Sequence, residues 1–204
     1  ADGGKTVALI SPKHFLGAKH WQLKGSVSFM GRDGTVHRYE VERHETLSKD
    51  NDISIGVLKN PIPAADKIAF YGVAAVPTPD WYLGRTAISF GKNGKAGRTV
   101  IKSFRTYEPG HVILAFMHDR LPDEPQGDGV KGVSGDSGAP SFLVEGGQLV
   151  LFGHHAQNVQ DSFPAGHFMQ VAAILAKDGY QLKPAPVTPG PEMVSRMKVP
   201  KTSR

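Results

Sequence analysis

Punctuation limits the fold of this chain more than any other feature. Short apolar and β-branched runs recur along it, separated by glycine and proline: TVALI (6–10), SVSFM (26–30), VHRYEVE (36–42), ISIGVL (53–58), RTAISF (85–90), RTVIKSF (98–104), HVILAF (111–116), SFLV (141–144) and QLVLFG (148–153). Each is long enough for a strand and too short for a helix, and many such runs in series predict an antiparallel barrel or sandwich. GRDG (31–34) and EGGQ (145–148) predict hairpin turns, because glycine adopts positive φ without a side-chain clash.

One segment breaks the pattern. In MQVAAILAKDGY (169–180), Val171, Ile174, Leu175 and Asp178 fall at helical spacing, and Gly179 stands where a helix would end. A short C-terminal helix with one face on the β body follows. Beyond it, KPAPVTPGPEMVSRMKVPKTSR (183–204) is proline-rich and poor in core-forming residues, which predicts an extended basic tail. NPIPAADKIAF (60–70) separates two strand-rich halves and is the candidate junction. The expected organisation is residues 1–66, 67–183 and a tail over 184–204.

Composition narrows the function. With 39% hydrophobic and 21% charged residues among 204, the chain can bury a sizeable core. No apolar run approaches the roughly 20 residues that span a bilayer, so no membrane span is expected. There is no cysteine, which removes disulfides, thiolate catalysis and cysteine-based zinc sites together. The net charge of +5 comes from scattered basic residues without a stripe or an aromatic–basic cluster, so nucleic acid is not an expected partner. The first residues, ADGGKT, carry no charged-then-apolar leader, and the expectation is that a signal peptide is absent or already removed. His154 and His155 are adjacent, not at a helical ligand spacing, and have no neighbouring carboxylate in sequence; no metal and no cofactor is expected.

The segment GVSGDSGAP (132–140) is too polar and glycine-rich for a core strand, yet apolar runs flank it. A serine alcohol is a weak nucleophile at neutral pH. It needs a base within hydrogen-bond reach, a group to orient that base, and donors for the oxyanion that forms on attack. Two further segments offer the first two. ISPKHFLGAKHW (10–21) leads through small residues to His20, and SKDNDISIGVL (48–58) puts Asp52 at the entry of an apolar strand. His14, His37 and His44 compete with His20 but lack the small-residue approach; Asp50 competes with Asp52 but does not directly precede the strand.

In type and order, these segments resemble the chymotrypsin-like (trypsin-like) serine peptidases. GAKHW resembles that family's threonine-alanine-alanine-histidine-cysteine segment, and NDISIGVL its aspartate-isoleucine-alanine-leucine-leucine segment. GDSGAP matches glycine-aspartate-serine-glycine-glycine-proline at five of six positions, and GHFMQV (166–171) is similar to the strand before the family's last helix. The resemblance implies an all-β fold of two packed antiparallel β-barrels with a short C-terminal helix. It implies Ser137 as nucleophile, His20 as general base and Asp52 as the orienting acid. It further implies an oxyanion hole from the backbone N–H groups of Gly135 and Ser137, with Asp136 anchoring that loop through a buried ion pair.

Departures from the pattern carry expectations of their own. Few residues precede His20, so the first barrel is expected to be shortened and the partner of Asp136 is open. Lys131, six residues before Ser137, falls at the floor of the family's specificity pocket, and His154 and His155 are placed beside it. One reading is cleavage after acidic residues; the other turns Lys131 outward and leaves a pocket for apolar or small side chains. The serine that supports the family's aspartate aligns near His154. The expected function is a serine endopeptidase acting on protein or peptide substrates, secreted or periplasmic. The alternatives are a catalytically silent binding module on the same fold and a protease domain of a viral polyprotein.

Overall fold

The computed structural model of the protein describes residues 6–47, 51–76, 79–92, 96–105, 115–119, 134–157 and 160–185. The strands are β1 (Ala8–Leu9), β2 (His14–Ala18), β3 (Ser26–Met30), β4 (Val36–Thr46), β5 (Ile53–Leu58), β6 (Val73–Ala74), β7 (Thr86–Phe90), β8 (Ala96–Arg105), β9 (Ala115–Asp119), β10 (Pro140–Glu145), β11 (Gln148–Gln157), β12 (Gln160–Ser162) and β13 (Pro184–Ala185). Besides short 3-10 turns, the described helix is α1 (Phe168–Ala176). The protein is all-β in character, as the punctuated strand pattern predicts.

The first sheet has the order β1-β2-β5-β4-β3. β4 is long because it serves two neighbours: residues from Val36 to Glu40 pair with β3, and residues from Val41 to Thr46 pair with β5. The register slips between Val41 and Arg43, and an extra residue at such a point bends a strand and increases its twist. β5 is buried along its whole length, which explains why ISIGVL reads as a continuous apolar run without alternation. Gly56 within it faces Phe15 of β2 across the ladder. A Cβ built on Gly56 would lie 2.0 Å from the Phe15 ring, so the glycine leaves the space that the ring fills.

The second sheet curls on itself. Antiparallel pairings run β7–β8–β9–β12–β11–β10, and β10 pairs again with β7 to close the ring. β6 pairs with β11 in parallel, and β13 with β6 in parallel. The expected hairpins stand at both predicted turns: Gly34 follows β3 with φ +83°, and Gly146 and Gly147 connect β10 to β11 with φ +56° and +77°.

The largest core cluster runs through both sheets. Leu16, Ile53 and Ile55 from the first pack with Phe142 and Phe152 from the second, with Tyr82 and Phe163 from the segments before β7 and after β12, and with Val171 and Leu175 of α1. Burying such a side chain contributes roughly 1.5–3 kcal/mol each. A smaller cluster of Leu9, Phe15, Leu23, Val27, Leu58 and Ile62 fills the far side of the first sheet. The helix ends where Gly179 takes φ +78°. Asp178, one residue earlier, is pinned to the first sheet by His14 Nε2 at 3.0 Å, an Arg43 guanidinium N–H at 2.6 Å and Lys13 Nζ at 3.4 Å. The expected proline-rich tail begins as strand β13; residues 186–204, like the 111–114 portion of the HVILAF run, lie outside the described residues. No described helix is long and apolar enough to cross a membrane.

Candidate active site

The β2–β5 ladder sets the first half of the site. Ala18, the last residue of β2, pairs with Ile53, the first of β5. The strands are antiparallel, so the residues just beyond these ends come together, and the backbone N–H of Lys19 reaches the carbonyl of Asp52 at 3.1 Å. The chain then turns through a 3-10 segment, Lys19–Trp21. That turn carries His20 over the Asp52 carboxylate.

Asp52 holds His20 at two points. Oδ2 lies 2.7 Å from ring Nδ1, and Oδ1 accepts the backbone N–H of His20 at 2.8 Å. A carboxylate only accepts, so Nδ1 carries the ring proton and Nε2 is left as an acceptor. Ser137 Oγ is 2.9 Å from that nitrogen and donates its hydroxyl proton to it. The structure therefore brings together Ser137, His20 and Asp52, which lie 117 and 32 residues from one another along the chain. His20 is exposed to solvent, and Ser137 and Asp52 are half-buried.

The loop carrying Ser137 is shaped by its glycines. Gly135 and Gly138, two before and one after Ser137, take φ +101° and +88°, values that side-chain-bearing residues rarely adopt. At Gly138 there is a second requirement. A Cβ there would come within 3.2 Å of the Ala18 backbone nitrogen and 3.5 Å of Gly17 Cα. The small residues before His20 and the glycine after Ser137 thus meet each other, which lets the two chemical groups approach. The N–H of Gly138 is taken by the carbonyl of His155 at 2.8 Å.

Asp136 is buried, 3% exposed, and its Oδ1 accepts the backbone N–H of Lys92 at 2.8 Å. The Lys92 ammonium in turn donates to the Ser134 carbonyl at 2.7 Å. One turn residue after β7 therefore fastens the loop at both Ser134 and Asp136. Nothing local marked Lys92: its role depends on the β7–β10 pairing, which brings that turn beside the loop.

The residues expected in a specificity pocket are placed as follows. Lys131 lies outside the described residues. His154 is fully buried, and its Nε2 is 2.9 Å from the backbone carbonyl of Asp52, so its contact is with the site's acid and it has no surface to offer a substrate. His155 is committed through its backbone, donating to Ala139 and accepting from Gly138, and its Nδ1 is 3.8 Å from the buried Asp161. Of the competing residues, His14 is buried between Ser11 and Asp178, His37 faces Asp66, and His44 bonds to Ser54 and the Leu23 carbonyl; Asp50 lies outside the described residues. Among the described residues no group of three or more His, Asp and Glu side chains could hold a metal ion.

Chemically, a hydroxyl on a neutral imidazole whose other nitrogen faces a carboxylate can lose its proton as it attacks an electrophilic carbonyl. No protein-family model matches this chain and no curated protein matches it, so this geometry carries the functional reading.

Proposed function

We propose that the protein is a serine endopeptidase of chymotrypsin-like architecture, with Ser137, His20 and Asp52 as its catalytic triad. The single observation behind this reading is the continuous relay from Ser137 Oγ through both nitrogens of His20 to Asp52, at 2.9 and 2.7 Å. Its residues flank three separate strands, β2, β5 and β10, with the histidine exposed and the serine half-buried.

In the reaction, Ser137 Oγ bonds to the scissile carbonyl carbon while its proton passes to His20 Nε2. Asp52 stabilises the imidazolium through the Nδ1–H bond. The carbonyl electron pair moves onto oxygen, and the backbone N–H groups of Gly135 and Ser137 receive that charge; one such donor is worth about a hundredfold or more in rate. The C–N bond breaks as His20 gives its proton to the departing amine, leaving an acyl-enzyme. Water then attacks the ester, passing its proton to His20, and the same proton returns to Ser137 as the acid leaves.

Turnover of a protein substrate tests the reading. Incubation with unfolded casein, followed by mass spectrometry of the fragments, is expected to show internal peptide-bond cleavage that Ser137→Ala abolishes. Intact casein after incubation with the wild type, or equal cleavage by both forms, would contradict it. The residue before each cut also decides whether an acidic side chain is preferred, as the lysine at position 131 suggested.

A further inference from the structure

His154 is an unusual residue to find beside this site. It sits in β11 with no exposed surface, and among the described residues its ring contributes one hydrogen bond, from Nε2 to the backbone carbonyl of Asp52 at 2.9 Å. A carbonyl oxygen only accepts, so Nε2 carries the proton and Nδ1 presents a bare lone pair. That lone pair is buried and, among the described residues, has no hydrogen-bond partner. Burial dominates its environment and keeps the ring neutral, against the pull of Asp52 and Asp161 and with the repulsion of His155. An apolar side chain at this buried position would avoid the unpaired nitrogen, so what the histidine supplies is the bond to Asp52.

That bond crosses between the two sheets. Asp52 and His20 lie just beyond the ends of β5 and β2 of the first, and β11 belongs to the second, whose loop before β10 carries Ser137. The Asp52 carbonyl receives two donors, Lys19 N–H from its own sheet and His154 Nε2–H from the other. Beside it, the Gly138 N–H and Ala139 carbonyl of the serine loop bond to the backbone of His155. Adjacent residues of one strand thus hold the acid's backbone and the nucleophile's loop.

We propose that His154 is a positioning residue, which ties the Asp52 backbone to the serine-bearing sheet and so fixes the carboxylate against His20. The proposal rests on the triad reading for its effect on rate, but the His20–Asp52 bond can be read without turnover. Two amide variants separate reach from burial. His154→Gln places an N–H donor near the Nε2 position, and His154→Asn places one only near Nδ1; both bury a neutral amide. The measurements are the downfield proton resonance of His20 Nδ1–H and the rate of acylation of Ser137 by an active ester. The glutamine variant is expected to keep the resonance and to acylate within about threefold of wild type. The asparagine variant is expected to lose or shift the resonance upfield and to acylate about tenfold or more slowly. An asparagine variant with the wild-type resonance, or a glutamine variant that loses it equally, would overturn the proposal. A wild type that shows the resonance but never acylates would overturn the peptidase reading instead, and leave the positioning role to be judged on the two resonances.

Discussion

Both oxygens of the Asp52 carboxylate are engaged by a single residue, His20, one through its ring Nδ1–H and one through its backbone N–H. Ring and backbone are thereby locked together, and the imidazole has one tautomer that satisfies the arrangement. Asp52→Asn removes that certainty with almost no change of shape. An amide accepts at one end and donates at the other. With its NH2 group toward the ring, His20 must place its proton on Nε2, where it can no longer receive the proton of Ser137. The expected outcome is a loss of about 10⁴ in kcat near neutral pH with KM little changed. Steady-state kinetics on an ester substrate check it.

Gly138 and Gly146 allow a paired comparison. Both have positive φ, and alanine at either position costs about 1–2 kcal/mol of backbone strain. A Cβ on Gly146 meets nothing within 4 Å, whereas one on Gly138 meets the backbone of Ala18, which has no flexible end to yield. Gly146→Ala is expected to lower Tm and leave kcat intact. Gly138→Ala is expected to lower both, because the strand leading to His20 and the loop carrying Ser137 must separate. Thermal melts run beside kinetics on both variants distinguish the two effects.

What the sequence discloses and what it hides divide along the range of the interactions. The hairpins at 31–34 and 145–148, the strand ISIGVL and the helix are set by neighbours a few residues away, and their signals are local. His20, Asp52 and Ser137 were legible because each needs a distinctive surrounding: small residues, a strand entry, glycines. The strand His14–Ala18 was not legible as a strand, since HFLGA, unlike the equally buried ISIGVL, has no β-branched residue and ends in glycine and alanine. Two-residue strands such as β6 and β13 exist only through partners distant in sequence. Lys92 was hidden for the same reason, and His154, which the resemblance set near the position of the aspartate's supporting serine, was read mainly as pocket lining. Their roles arise where two sheets, or a turn and a loop, come together, and no local pattern encodes that meeting.

Lys92 and Asp136 predict a graded pair of losses at the loop carrying Ser137. Asp136→Ala removes a buried acceptor and leaves the Lys92 backbone N–H without it, so the loop loses its inner anchor. Lys92→Met keeps that backbone bond and removes only the exposed contact to the Ser134 carbonyl. The alanine variant is expected to lose roughly a hundredfold or more in kcat, and the methionine variant about tenfold or less. Affinity for a peptidyl trifluoromethyl ketone, which places an oxyanion in the same position, is expected to fall in the same order.

Stability is expected to decline on mild acidification. Burial lowers the affinity of His14, His44 and His154 for a second proton below the ordinary value of 6.5, and it outweighs their bonds to Asp178, to the Leu23 carbonyl and to the Asp52 carbonyl, which favour that proton. Around His14, Asp178 favours the proton while Lys13 and Arg43 oppose it, and burial outweighs them all. Below about 6.5 the unfolded chain binds protons at these positions that the folded chain refuses, so stability is complete above that pH and falls as pH drops through it. Asp178, whose carboxyl burial would push up but which His14, Arg43 and Lys13 together hold below its ordinary range, contributes a separate loss at lower pH. Chemical denaturation at a series of pH values checks this; His14→Gln is expected to flatten the slope, and a midpoint independent of pH between about 7.5 and 5.5 would contradict the assignment.

Covalent capture of the nucleophile tests the central claim most directly. A fluorophosphonate reacts with a serine only where a base has activated it and an oxyanion site receives the phosphoryl oxygen. Intact-mass analysis is predicted to show one adduct on the wild type, mapped to Ser137 by peptide sequencing, and none on Ser137→Ala or His20→Ala. A wild-type chain that stays unmodified, or an adduct that persists in Ser137→Ala, would contradict the account.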